Sequence, residues 1–166
     1  MTALRNLKDR SREDSVLMSP PMDRPLLILS DTHLSRDYGS PIAEDLSRLF
    51  RENSGAEIIL NGDILDLSLD PAERAPADSL HAALAPHPAF VAALTTHIAH
   101  GGKLTLIPGN HDAGLSARGQ IEFLKRSLNA PNDECLEVQP WFARRDDVHI
   151  EHGHLYDPDC APNHPL

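Results

Sequence analysis

Three short apolar runs along the chain break off in the same way. Leu26–Leu29 leads into Ser30-Asp31-Thr32-His33, Glu57–Leu60 into Asn61-Gly62-Asp63, and Lys103–Ile107 through a Pro-Gly break into Asn110-His111-Asp112. Runs this short, bounded by turn residues, read as buried strands. LLIL is apolar at every position, as a strand covered on both faces would be. Between the first two, Pro41 to Asn53 places Ile42, Leu46, Leu49 and Phe50 at near-helical spacing, with Ser40 as N-cap, Pro41 at the first helical position and Ser54-Gly55 as the stop. Strand, helix and strand make a βαβ unit and hence a parallel sheet, an α/β architecture.

Ala89 to His100 repeats the helical pattern through Phe90, Val91, Leu94 and Ile98 and stops at Gly101-Gly102. Gln120 to Leu128 does so through Ile121, Leu124 and Leu128. Leu136 to Phe142 and Val148 to Ile150 flank the polar Arg144–Asp147 and predict a hairpin running toward His152. From residue 66 to 88 the chain is rich in Ala, Pro and acidic groups, and its prolines interrupt any long helix. This segment predicts an inserted loop, with a short helix at Ser79–Leu84, that leaves directly from the Asp63 tip. Its His81 and His87 are expected in solvent. Residues 1–24 mix both charges with few large apolar groups and predict a mobile tail ahead of a domain over 25–166.

Composition adds exclusions. The 166 residues suffice for one domain with a core. A formal charge of −10 disfavours non-specific nucleic-acid binding, which depends on Lys and Arg at phosphates. No apolar run is long enough to span a bilayer, and the polar start lacks a signal-peptide core, so a cytoplasmic location is expected. Cys135 and Cys160 form no Cys-x-x-Cys pair and read as ordinary thiols. His97 and His100, one turn apart, make a poor metal site without further ligands and read as structural.

In an open α/β sheet the three strand tips converge on one crevice. The ordered set Asp31-x-His33, Gly62-Asp63 and Gly109-Asn110-His111-Asp112 resembles the calcineurin-like metallophosphoesterases. The resemblance implies a two-sheet sandwich flanked by helices and a dinuclear metal centre that hydrolyses phosphomonoesters, phosphodiesters or pyrophosphates. By the same resemblance Asp31 and His33 bind one ion, Asp63 bridges both, and Asn110 binds the second. His111 acts on the phosphoester oxygens without binding metal, and Asp112 orients its imidazole. His152, after the run VHIE, matches the single histidine of the fourth motif and joins Asn110 on the second ion.

Carboxylates, an amide and imidazoles suit manganese, iron or zinc better than calcium. Two such ions about 4 Å apart lower the pKa of water and clamp the attacking and leaving oxygens of an in-line displacement. An acidic protein can thereby present an electropositive site to a phosphorylated small-molecule, nucleotide or lipid-linked substrate.

The last family motif, Gly-His-x-His, has no matching copy. Glu151-His152-Gly153-His154 keeps the His-x-His spacing with Glu in place of glycine, and reading it so would leave the fourth motif empty. The chain is therefore expected to stop before the fifth motif, with its second sheet incomplete, and to be poorly active by itself. A non-catalytic interaction scaffold on the same fold is the alternative. The retained His111 and its ligand set weigh against it, since a scaffold needs neither.

Overall fold

The computed structural model describes residues 24–36, 41–68 and 76–160. The expected tail, the Ser40 cap and part of the 66–88 segment lie outside them.

Leu26–Leu29 (β1), Glu57–Asn61 (β2), Lys103–Ile107 (β3) and Leu136–Val138 (β4) form one all-parallel sheet in the order β1-β2-β3-β4. Register separates its two faces. Leu27, Leu29, Ile58, Leu60, Leu104, Leu106, Leu136 and Val138 share one face and belong to, or pack against, the main core. That core includes residues of the helices Pro41–Glu52 (α1), Pro76–Leu84 (α2), Pro88–Ala99 (α3) and Arg118–Ser127 (α4). Ala43, Leu46 and Phe50 of α1 recur at helical spacing and are buried. Phe50 meets Phe90 of α3 edge to face at 5.9 Å, and full burial of such a ring is worth about 2–3 kcal/mol. Asn53 closes α1 by donating from Nδ2 to the Leu49 carbonyl at 2.9 Å.

The other face carries Glu57, Lys103 and Thr105 beside Ile59 and Ile107, and a hairpin lies on it. Ala143–Arg145 (β5) pairs antiparallel with Val148–Ile150 (β6), and among the described residues these two strands are the whole second sheet. Ala143 and Ile150 bury Ile59 and Ile107. Arg145 donates to the Glu57 carboxylate and, from Nη2, to Thr105 Oγ1 at 3.1 Å, so the charged positions of β2 and β3 serve to hold the hairpin.

Three expectations need correction here. The first arm of the predicted hairpin, Leu136–Phe142, divides: Leu136–Val138 extends the parallel sheet, and the chain turns at Pro140 before β5 begins. β1 is an edge strand with Leu26 and Ile28 exposed at 36% and 43%, because the hairpin covers only the middle of that face. The inserted segment holds a longer helix, Pro76–Leu84, and its His87 is buried, with Nε2 3.0 Å from the Ser35 carbonyl.

His97 is buried in α3 against Phe50, ring centroids 5.3 Å apart, with Nε2 3.4 Å from the Lys103 carbonyl, while His100 is exposed. Burial drives the His97 pKa below the usual imidazole value of 6.5, against the opposing pull of that carbonyl. The folded state thus favours the neutral ring, whose stabilisation is complete above 6.5 and is lost as pH falls through the lower folded value. Thermal midpoints measured between pH 7.5 and pH 5 should fall, and His97→Leu should remove part of that fall. An identical pH profile in the variant would assign the acid sensitivity elsewhere.

Candidate metal centre

Parallel strands bring their carboxyl ends to one edge, and the predicted ligands sit just beyond those ends. The loop after β1 is laced to the loop after β2 by backbone bonds: Asp31 N–H to the Gly62 carbonyl at 3.1 Å, His33 N–H to Asp63 at 2.9 Å and Leu34 N–H to Ile64 at 2.9 Å. Asp31, His33 and Asp63 all adopt positive φ, at 56°, 45° and 51°. Non-glycine residues held there cost ~1–3 kcal/mol each and persist where the surroundings over-determine them, typically at functional sites.

Asp63 is the centre of the cluster, only 4% exposed. Its Oδ1 accepts the His111 N–H at 2.9 Å, and its Oδ2 faces His152 Nε2 at 3.2 Å and His33 Nε2 at 3.9 Å. Two sets of ligand-type side chains have donor atoms within 4.8 Å of one another, His33 with Asp63 and His111, and Asp31 with Asp63 and His152. Asp63 belongs to both. This grouping brings His111 into ligand range, a position the sequence had reserved for a group acting on substrate. Asn110 is half-buried between Gly109 and His111 at the β3 tip. A buried carboxylate oxygen shared by imidazoles, with a further carboxylate at the rim, is a donor set that fits borderline divalent ions.

The expected contact between Asp112 and the His111 imidazole is not made. Asp112 is 1% exposed, and a carboxylate so deeply buried must be satisfied where it lies. It accepts from the backbone N–H groups of Gly109 at 2.7 Å, Ile64 at 2.9 Å, Leu65 at 3.2 Å and Asp63 at 3.3 Å, and so ties the β2 and β3 loops together. Burial raises its pKa, and the hydrogen bonds oppose the rise.

Asp66, at the start of the segment after the Asp63 tip, is the imidazole's partner. Its Oδ1 lies 3.0 Å from His111 Nδ1, and Ser68 Oγ, also 3.0 Å from that nitrogen, donates to the same oxygen at 2.8 Å. The hydrogen bond that His111 gives to Asp66 raises the His111 pKa against a smaller cost of burial, and the neighbouring carboxylates add to the rise. Burial pushes Asp66 upward, but the bonds from His111 and Ser68 and the His111 and His33 charges more than reverse it. The available signal was a second carboxylate three positions after Asp63.

The motif Asp-x-His, Gly-Asp, Gly-Asn-His is thus one spatial cluster, and the sequence matches the calcineurin-like phosphoesterase family profile over residues 24–165. The chain belongs to the calcineurin-like phosphoesterase family. No individual curated protein matches it. Membership brings phosphoester hydrolysis with divalent metals as the family chemistry, and the α/β fold described above agrees with it. Among the described residues no helix is long and apolar enough to cross a membrane.

Glycines leave room for the ligands. A Cβ on Gly109 would lie 2.2 Å from Asp63 Oδ1, 2.7 Å from the Asp63 nitrogen and 2.8 Å from His152 Cδ2. One on Gly62 would fall 2.2 Å from the His152 ring, at a φ of +78° that already favours glycine. Gly109→Ala should therefore displace Asp63, destabilise the fold by about 1–3 kcal/mol and weaken metal binding. Gly114→Ala, with nothing within 4 Å of its Cβ, is the matched control. Denaturant midpoints and metal affinities of the pair check this, and equal behaviour would contradict it.

Proposed function

We propose that this chain is a phosphoester hydrolase using two divalent ions, drawn from manganese, iron and zinc, held at the strand tips. Asp31, His33 and Asp63 hold one ion, and Asp63, Asn110 and His152 hold the other. When bound, the ions supply Lewis acidity at phosphoryl oxygens and lower the pKa of water. The observation that carries the reading is Asp63, whose single oxygen Oδ2 faces imidazoles from two different loops.

His111 contributes a proton at a defined place. Its Nδ1 is engaged by Asp66 and Ser68, which leaves Nε2 as the nitrogen to meet a phosphoryl or leaving-group oxygen, and the raised pKa favours the cation there. Asp112 keeps the loops in register through its four backbone bonds, so that Asp63 and His111 hold their relation. Two dications would offset the four carboxylates gathered at the strand tips, Asp31, Asp63, Asp66 and Asp112, in a chain of net charge −10, and so lower the repulsion of a phosphorylated substrate.

Metal-free protein supplied with manganese should hydrolyse an aryl phosphodiester or phosphomonoester, slowly in keeping with the missing fifth motif, and a chelator should stop it. Two bound ions with no hydrolysis of either class would favour the scaffold reading instead.

A further inference from the structure

His152 reaches the centre from the second sheet, on a segment separate from the loops that carry the other ligands. β6 ends at Ile150, and two hydrogen bonds tie the following residues to the end of β2. Asn61 Nδ2 donates to the Glu151 carbonyl at 3.1 Å, and His152 Nδ1 lies 3.2 Å from the Asn61 carbonyl. The bonds are reciprocal: residue 61 gives from its side chain to one peptide and accepts on its own main chain from the next side chain. A carbonyl can only accept, so the nitrogen facing it carries the hydrogen. In the neutral ring, Nδ1–H to Asn61 leaves His152 Nε2 as the lone-pair nitrogen, and Nε2 is the atom 3.2 Å from Asp63 Oδ2, where an ion would lie between them.

The Asn61 amide is used for its donor. Its Oδ1 is buried with no hydrogen-bond partner, an exception of a kind that folded proteins keep rare. Turning the amide over would set that oxygen against the Glu151 carbonyl, so the acceptor fixes the orientation. Asn61 otherwise sits in register with Ile107, at a position where an apolar residue would extend the small cluster of Ile59, Ile107, Ala143 and Ile150. An asparagine there gives up apolar packing and leaves an acceptor unpaired, in exchange for one hydrogen bond to the peptide preceding His152.

We infer that Asn61 is a positioning residue for His152: by clamping the Glu151 carbonyl it holds the ring in the Nδ1–H tautomer and aims Nε2 at the second ion. This rests on the two-ion reading above for the ion, whereas the tautomer belongs to the metal-free chain. Groups behind a ligating histidine typically change metal affinity 10–100-fold when lost.

The test uses the full chain with Asn61→Ala and Asn61→Asp, the latter keeping the shape but losing the donor. Long-range proton–nitrogen spectra of the metal-free protein, with the His152 ring assigned by its loss in His152→Gln, should show a fixed Nδ1–H tautomer in the native chain. Both variants should show an averaged or switched one. Zinc titration should then find the affinity of the ion beside His152 reduced about 10–100-fold, with the other nearly unchanged. Asn53→Ala, which removes an amide bond at the end of α1, is the control and should alter neither readout. An unchanged tautomer in the Asn61 variants, or equal loss of both ions, would overturn the inference. A native chain that binds a single ion would instead overturn the two-ion reading and leave the tautomer result to decide the role of Asn61.

Discussion

Asp63→Asn should remove both ions together. The carboxylate is buried, Oδ1 is held by the His111 N–H, and Oδ2 is the oxygen that faces both His33 and His152. An amide keeps the shape and one acceptor but loses the charge, and nothing nearby replaces it, because the other buried carboxylate, Asp112, is committed to four backbone donors. Loss of even a supporting group costs 10–100-fold in metal affinity, so loss of the shared ligand should cost at least about 100-fold for each ion. Asp31, exposed at the rim and proposed as a ligand of the first ion alone, should behave differently, and Asp31→Asn should weaken mainly that ion. Calorimetric titration with manganese and metal counts on the two variants check this. An Asp63→Asn protein that keeps one ion at native affinity would contradict the shared role.

His111→Ala should lower kcat by about 10²–10⁴ while both ions stay bound. His111 stands edge-on to His33, with ring centroids 4.8 Å apart, and within ligand range of Asp63, so geometry alone permits either a metal-binding or a substrate-facing role. Asp66 and Ser68 fix the ring from the Nδ1 side and leave Nε2 for either partner, so the metal content of the variant separates the proposed substrate-facing role from a ligand's. Asp66→Asn should reproduce part of the loss, since the ring remains but its partner's charge is gone. If His111→Ala lost metal in step with activity, the residue would be a ligand.

The parallel sheet and the gathering of the first three strand tips at one edge were legible because each apolar run ends at a residue that must turn, whether Pro108-Gly109, Gly62 or Ser30. Helices α1, α3 and α4 followed from spacing to within two residues at each end, with Ser54-Gly55 and Gly101-Gly102 as the stops of two of them. Of the hairpin, the second arm Val148–Ile150 and the polar turn were legible and the first arm was not. Alternation in Leu136–Phe142 says that a strand forms but not which sheet receives it, and only Pro140 hinted at the division. LLIL looked doubly buried because hydropathy records what a strand can bury and not what arrives to cover it. His87 and Asp66 were missed for one reason: their partners, the Ser35 carbonyl and the His111 ring, are distant in sequence, and a polar residue in a polar segment gives no sign of a distant partner. Asp112 shows the opposite case, since adjacency to His111 suggested a side-chain contact and the turn directs the carboxylate to four backbone N–H groups instead.

Anomalous diffraction from crystals of this chain grown with manganese tests the central claim most directly. Two peaks about 4 Å apart are expected on either side of Asp63, one beside Asp31 and His33 and the other beside Asn110 and His152, with no peak in bonding range of His111. A single peak, or an ion bound through His33, Asp63 and His111, would contradict the two-ion account.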